Sequence, residues 1–405
     1  MPTPCSEARE FGGPKQVTNV EIDLARAGIN GVIPGWVKPA GRPGKATFRL
    51  STGAGDTMIF EDLNLDGGNG MAAKGDVTLG PDGQLNAAKL SSLKISPGDS
   101  MTLDADRKDN VLKLTIRAST IDLRPELKTS FAPAPAGPTS PANADIDLDL
   151  RATAAVGFNN ETLTGLDMKL SQRDGAWRDL KLSGKLGRAS VIGQNARNEQ
   201  NQPVIAIETN DAGALLRYMD LYKRMMGGNM LLQFAGKNDT MAGSIIVRNF
   251  ALRDDPALAN VAATSRAAGR QTITDPTEVS FNKLRADFMF EGGKMTLKDA
   301  TLSGPQVGGT VEGTLDFQKD RADLSGTFVP AYGLNNAFNQ IPIVGQLLGG
   351  KDEGLFAINF RVTGALSAPT VSVNPLSAVA PGFLRKFFSV WGTDDPPAAP
   401  TKPAQ

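Results

Sequence analysis

No histidine occurs in the 405-residue chain, and its one cysteine is Cys5. Without histidine there is no Ser–His–Asp triad, no Cys–His pair and no histidine-containing zinc site. A lone cysteine leaves no internal disulfide, no CxxC motif and no cysteine metal cluster. Neither sign of charge is in excess, because 43 Lys and Arg balance 43 Asp and Glu. Nucleic-acid binders are usually visibly basic, so nucleic acid is not expected as a partner. Long apolar runs are missing as well: nothing approaches the ~18 to 20 consecutive apolar residues that span a bilayer as a helix. The opening residues MPTPCSEAREFGGPKQ are polar and hold no apolar core of a secretory signal. A strand-like pattern follows almost at once, so the expectation is a fragment whose targeting signal lay upstream.

What the chain has in plenty is alternation with a period of two. Residues 145–150 place Ile146, Leu148 and Leu150 on one face and three Asp on the other. Residues 111–118 set Leu112, Leu114, Ile116 and Ala118 against Lys113, Thr115 and Arg117, and residues 355–362 set Phe356, Ile358, Phe360 and Val362 against Asn359 and Arg361. Similar patterns occupy 44–51, 77–79, 165–170, 284–290 and 311–317. Such alternation gives each strand one dry and one wet face, as in antiparallel sheets open to water on one side. Asp66-Gly67-Gly68, Pro81-Asp82-Gly83, Asp174-Gly175 and Glu291-Gly292-Gly293 supply hairpin turn chemistry between the runs. The fold class is therefore mainly β, a long antiparallel meander curled into an open groove, with a few short helices and a C-terminal capping helix.

The phrase D-x-x-L-x-G recurs at Asp62, Asp179 and Asp299. These spacings are too long for a propeller blade or a leucine-rich repeat. Similar hairpins built from the same residues explain the recurrence, with quasi-repetition of a sheet module as the alternative. Prolines make 131–144 a solvated spacer or long loop, with a weaker break at 263–277. The expected organisation is a β-groove segment over 1–130, that linker, a second β-groove segment with inserted helices over 145–262, a C-terminal β segment with its helix over 278–391, and a disordered tail over 392–405. Helical spacing is confined to 211–226, capped by Asp211 and stopped by Gly227-Gly228, to 255–263, opened by Asp255-Pro256, to 334–348 and to 381–391.

The catalytic and ligand motifs are weak. Asp145, Asp147 and Asp149 would stand ~6.6 Å apart along one strand face; a solvated sheet face explains them better than calcium. Gly67-Gly68-Asn69-Gly70 lacks the frame of a phosphate loop. Ser91-Ser92-Leu93-Lys94 matches S-x-x-K but reads as strand, with neither S-D-N nor K-T-G present. No carboxylate dyad can be nominated. The expectation is a non-enzyme with no cofactor and no metal. A one-sided apolar sheet needs a second layer, and the few helices are too short to supply it. Either the sheet closes on its own side chains, or it curls into a trough lined for an apolar ligand. Phe383, Leu384, Phe387, Phe388 and Trp391 around Arg385 and Lys386 suit a cap over the sheet end, or a membrane contact.

The C-terminal residues carry a resemblance. Gly326-Thr327-Phe328-Val329-Pro330-Ala331-Tyr332-Gly333-Leu334-Asn335 leads to Ile341-Pro342-Ile343-Val344-Gly345 and Glu353-Gly354-Leu355-Phe356-Ala357-Ile358. Then come Val362-Thr363-Gly364, Pro369 to Leu376 and Ala380-Pro381-Gly382-Phe383-Leu384. Together they resemble the AsmA-like C-terminal domain of YhdP-type proteins of Gram-negative bacteria. Residues 212–217 through Gly227-Gly228, with Val247-Arg248-Asn249-Phe250, are similar to the middle of that family. The resemblance covers about 200–390 well and the earlier half only in style. It implies a β-groove protein of the bridge-like lipid-transfer kind, held in the inner membrane by an N-terminal helix and extending through the periplasm. Implied partners are phospholipid, the inner and outer membranes and envelope proteins. This chain shows no such helix, so the tether is expected in a segment that it lacks.

A mechanism follows from burial. A methylene gains ~0.8 kcal/mol on leaving water, so exposing a two-chain lipid of ~30 methylenes would cost on the order of 20 kcal/mol. A continuous apolar trough removes most of that barrier while headgroups stay wet. Roughly twenty strands at ~4.8 Å each would form a trough ~100 Å long. Leu112, Leu114, Ile116, Ile146, Leu148, Leu150, Phe288, Phe290, Phe356, Ile358 and Phe360 are the expected lining, and Leu148→Asp should impair lipid passage or folding. The runner-up is a periplasmic scaffold that binds partner proteins and carries no lipid.

Overall fold

The computed structural model describes residues 17–29, 36–131, 144–237, 240–267, 273, 275–330, 357–366 and 368–376. Among them strand dominates: twenty strands stand against three α-helices and one 3-10 turn, Ala54–Asp56. The chain is mainly β, as its alternation demands, and the described residues of the alternating runs lie in strands to within one residue at their ends, 355 and 356 lying outside the described residues. It divides into two compact units, Met1–Asp122 with Ile146–Ala152, and Leu123–Asp145 with Thr153–Gln405. Both sides of 263–277 fall in the second unit.

The first unit is an antiparallel meander of β1 (Thr18–Asp23), β2 (Lys45–Thr52), β3 (Met58–Gly68), β4 (Met71–Leu79), β5 (Leu85–Lys94), β6 (Ser100–Lys108) and β7 (Val111–Asp122). Each pairs with the next in sequence. A short helix follows, α1 (Arg124–Thr129), and then β8 (Ile146–Val156), whose residues begin in the first unit and end in the second. Helix α1 was not expected from the sequence; Pro125 in its first turn and Glu126 beside it are its markers.

The second unit continues with β9 (Thr162–Arg173), β10 (Ala176–Leu186), β11 (Ala189–Arg197), β12 (Pro203–Thr209), α2 (Ala212–Tyr218), β13 (Met225–Lys237), β14 (Thr240–Arg253), α3 (Pro256–Ala267), β15 (Glu278–Glu291), β16 (Lys294–Ser303), β17 (Val307–Asp316), β18 (Arg321–Pro330), β19 (Ala357–Ala365) and β20 (Ala368–Leu376). From β9 to β20 every strand is antiparallel to its sequence neighbour. Two-residue turns carry both residues at positive φ, at Asn69-Gly70, Asp109-Asn110, Asp174-Gly175 and Gly292-Gly293. That geometry matches the twist of the flanking strands, and Asn, Asp and Gly are the residues that tolerate it. Asp66-Gly67-Gly68 itself is the end of β3, one step before its turn.

The D-x-x-L-x-G phrase marks β-bulges. Asp62 and Asp299 hold φ of +52° and +50°, and the register slips between Phe60 and Leu63 on β3 and between Leu297 and Ala300 on β16. On β10 it slips between Trp177 and Asp179. Side chains on the next strand take up N–H groups that the bulges release. Asp62 N donates to Asp76 Oδ1 at 2.9 Å, and Leu180 N donates to Asn195 Oδ1 at 2.7 Å. Bulges bend a strand and sharpen its twist, which is what a curling sheet needs.

The helical expectations are partly corrected. Asp211 caps α2 through Ala214 N, as expected, yet the helix stops at Tyr218 and Met225–Met226 open β13. A two-turn helix is marginal alone, and the ladder to β14 holds these residues extended. Helix α3 begins at Pro256 under the Asp255 cap and runs past the expected residue 263. It packs Leu258 and Ala262 into a core with Val247, Phe250, Val279 and Phe281. The segments 334–348 and 381–391, each expected as a helix, lie outside the described residues.

Candidate functional site

In an antiparallel ladder, directly opposed residues share a face. Leu50, Phe60, Val77, Ala88, Ala105 and Leu114 stand opposite one another in a row across β2 to β7. A second row runs Leu63, Gly75, Leu90, Leu103, Ile116, and a third runs Ile22, Ala46, Leu65, Ala73, Leu93, Met101, Ala118. The other face carries charge: Arg49 opposes Glu61, Asp76 opposes Lys89, which opposes Asp104, and Asp106 opposes Lys113. The first unit therefore owns one apolar face across its whole meander.

No α-helix of that unit covers this face, and its one helical turn buries nothing among the described residues. Leu90 is nevertheless only 8% exposed, while Phe60, Leu103, Leu114 and Ile116 towards the flanks are half-buried. Side chains that shelter their neighbours without a second layer are those of an inward-bending surface. One end is closed by the loop after β1. Trp36, buried, lies over Gly67, where a Cβ would come within 2.7 Å of its ring. Lys38, only 1% exposed, holds that loop by donating from Nζ to the carbonyls of Leu24, Ala27 and Arg42 at 2.5, 3.1 and 2.8 Å.

The second unit continues the pattern with Ile205, Phe234, Gly243, Phe288, Leu297, Gly313, Leu324 and Val362 in one row. Here the curl is measurable. Cα atoms of β10 and β13 come within 8 Å, although a flat sheet at ~4.8 Å per strand would hold them ~14 Å apart. Trp177 and Phe234 meet across that bend with ring centroids 5.8 Å apart, and Lys237 Nζ reaches Asp174 Oδ2 at 2.6 Å on the rim. The hydrogen bond and charge of Lys237 hold the Asp174 carboxyl below its ordinary value.

Much of this second face is filled by the chain itself. Helices α2 and α3 close one end, joined by Tyr222, whose hydroxyl donates to Asp255 Oδ2 at 2.5 Å. Burial, with the Asp255 carboxylate beside it, pushes the Tyr222 hydroxyl well above its ordinary pKa. At the other end Phe131 stacks on Phe317 at 4.8 Å and meets Phe290 edge-on at 6.2 Å. Phe131 opens the stretch read as a linker, so that segment's first residue is anchored rather than solvated.

The expected lining residues are distributed as follows. Leu112, Leu114 and Ile116 lie on the apolar face of the first unit. Arg117 pairs with Asp149 at 2.8 Å on the polar side, which turns Leu148 and Leu150 to the apolar side. Ile146 alternates with them and is half-buried; Leu150 is buried. Phe288 is half-buried, but Phe290 is 3% exposed under Phe131 and Phe317 and is closed to any ligand. Phe360 packs on Gly326, where a Cβ would lie 2.5 Å from the ring. Ile358 stands opposite Phe328 in the ladder. Phe356 and Phe383, Leu384, Arg385, Lys386, Phe387, Phe388 and Trp391 lie outside the described residues. Asp149 is engaged by Arg117, and Asp145 accepts from Asp174 N; among the described residues no cluster of three or more Asp, Glu or Cys side chains could hold a metal ion. Ser91–Lys94 is strand, as read, and Gly68 to Gly70 is a hairpin end.

Comparison of the chain with protein-family models, with curated proteins and with solved structures finds no match.

Proposed function

We propose that this chain is a non-enzymatic cell-envelope protein whose apolar β-face shields lipid acyl chains, supporting phospholipid movement between the inner and outer membranes and outer-membrane integrity. One observation carries the reading: the first unit has an apolar face across seven strands with, among the described residues, no α-helix of its own above it. Water on that face is costly, at roughly 25 cal/mol per Å² of apolar surface, and acyl chains would remove that cost. Interchangeable Leu, Ile, Val and Phe give the acyl chains no single tight site of their own, which suits passage better than storage. The resemblance of the C-terminal strands to the AsmA-like domain supports the same reading, with the periplasm as the location.

The test is the lipid content of the purified chain, read by mass spectrometry after gentle detergent-free isolation. Co-purifying phospholipid is expected, reduced severalfold by Phe60→Asp or Leu103→Asp on the apolar face and unchanged by Thr102→Asp on the other. Equal lipid in all of these variants, or none in the wild type, would remove the reading. The scaffold reading then takes its place, favoured by the way α2, α3 and Phe131 fill the second unit's face from within.

A further inference from the structure

Among β1 to β7, the registers put a single charged side chain on the apolar face, that of Arg107. It shares a side with Met101, Leu103 and Ala105, and it stands opposite Leu112 at the strand end. It is half-buried, so its methylenes lie on the face while the guanidinium reaches the rim. Its Nε donates to Leu85 O at 2.8 Å and its Nη1 lies 3.5 Å from Asn110 O. Both acceptors are neutral carbonyls. The acids of this sheet sit on the other face: Asp104 and Asp106 on the same strand alternate away from it.

A cation on an otherwise apolar surface, with no carboxylate to neutralise it, is poised for an anion that arrives with apolar substituents attached. Of the five guanidinium donors, the Nη2 pair makes no hydrogen bond within the described residues. With Nε engaged, the second Nη1 N–H and an Nη2 N–H form the planar fork that matches a phosphate in two-point contact. We propose that Arg107 binds the headgroup phosphate of a phospholipid whose acyl chains lie along Leu103, Leu114 and Ile116. This rests on the groove reading above and adds a polarity to it: the headgroup sits at the hairpin end of β6 and β7, and the chains run towards the Trp36 end. The occupant is a lipid phosphate, not free phosphate, because the charge stands on a surface that only acyl chains complement.

The test uses the full chain and displacement of a fluorescent phosphatidylethanolamine by two competitors with identical dioleoyl chains, phosphatidylethanolamine and diacylglycerol. Wild type should prefer the phosphate-bearing competitor. Arg107→Gln should lose that preference by about ten- to hundredfold while binding diacylglycerol as before, and Arg107→Lys should keep part of it. Unchanged diacylglycerol binding also shows that the variant is folded. An intact preference in Arg107→Gln overturns the assignment and leaves the groove standing. Displacement by 10 mM (about that level) inorganic phosphate alone also overturns it, since the site would then read the free anion. Uptake of neither lipid by wild type removes the groove reading itself.

Discussion

Single side chains set the local shape of the face. Lys38 is a buried cation satisfied by three main-chain carbonyls, of which Leu24 O also accepts from Ala27 N at 3.0 Å. Lys38→Met keeps the stem but removes three charge-assisted hydrogen bonds from a buried loop, so unfolding by urea should show a loss of about 3 kcal/mol. Gly75 holds φ of +144°, and a Cβ there would lie 2.0 Å from Lys89 O. Gly75→Ala should cost roughly 2–4 kcal/mol. Gly83→Ala, at a turn with open space around it, should cost only about 1 kcal/mol by the same measurement. The Asp174–Lys237 pair at the rim predicts a pH response. The carboxyl is lowered in the folded state, so its contribution is present above the ordinary carboxylate value and fades as pH falls through the lowered one. Trp177 fluorescence should report the release in strongly acidic solution. Lys237→Met should abolish that transition, and a transition of the same size in the variant would show that the pair does not hold the bend.

At the scale of the element, the bulge is the device that turns a repeated phrase into curvature. Asp at the bulge accepts positive φ where a β-branched residue resists it. Asp62→Val should therefore destabilise by about 1–2 kcal/mol, whereas Asp62→Gly should be nearly neutral; thermal unfolding of the two variants separates the backbone effect from loss of charge. The sequence announces this phrase but not its meaning, because the slip in register depends on the partner strand. The same division runs through the whole fold. Alternation around Leu114, Leu148 and Phe288 identifies strands and their dry faces, since period two is written into each segment by itself. Helix α2 was overextended because 219–226 carry helical spacing, and only the ladder to Phe250 and Leu252 decides against it. The cover supplied by Phe131 was invisible for a related reason. Its partners Phe290 and Phe317 are more than 150 residues away, and nothing near Phe131 except the prolines after it gives a local signal. Arg107 was legible only as one more basic residue until the register put it on the apolar side.

For the molecule as a whole, the two units differ in what occupies their apolar faces, and that difference has a thermodynamic signature. The second unit fills its ends with α2, α3 and the Phe131–Phe290–Phe317 cluster, so part of its interior is complete without a ligand. In the first unit no α-helix among the described residues fills the face. A ligand that binds only the folded form stabilises it by RT ln(1 + [L]/Kd), about 2.7 kcal/mol at a hundredfold excess over Kd. Hydrogen exchange on the full chain, with and without phosphatidylethanolamine, should therefore slow the amides of β4 to β7 by about a hundredfold at that excess. The amides of β14 and β15 beneath α3 should change far less. Uniform protection would mean that lipid meets both faces alike, and protection confined to β14 and β15 would place the ligand on the face that already owns a second layer. Either result would break the link drawn here between an uncovered sheet and its cargo.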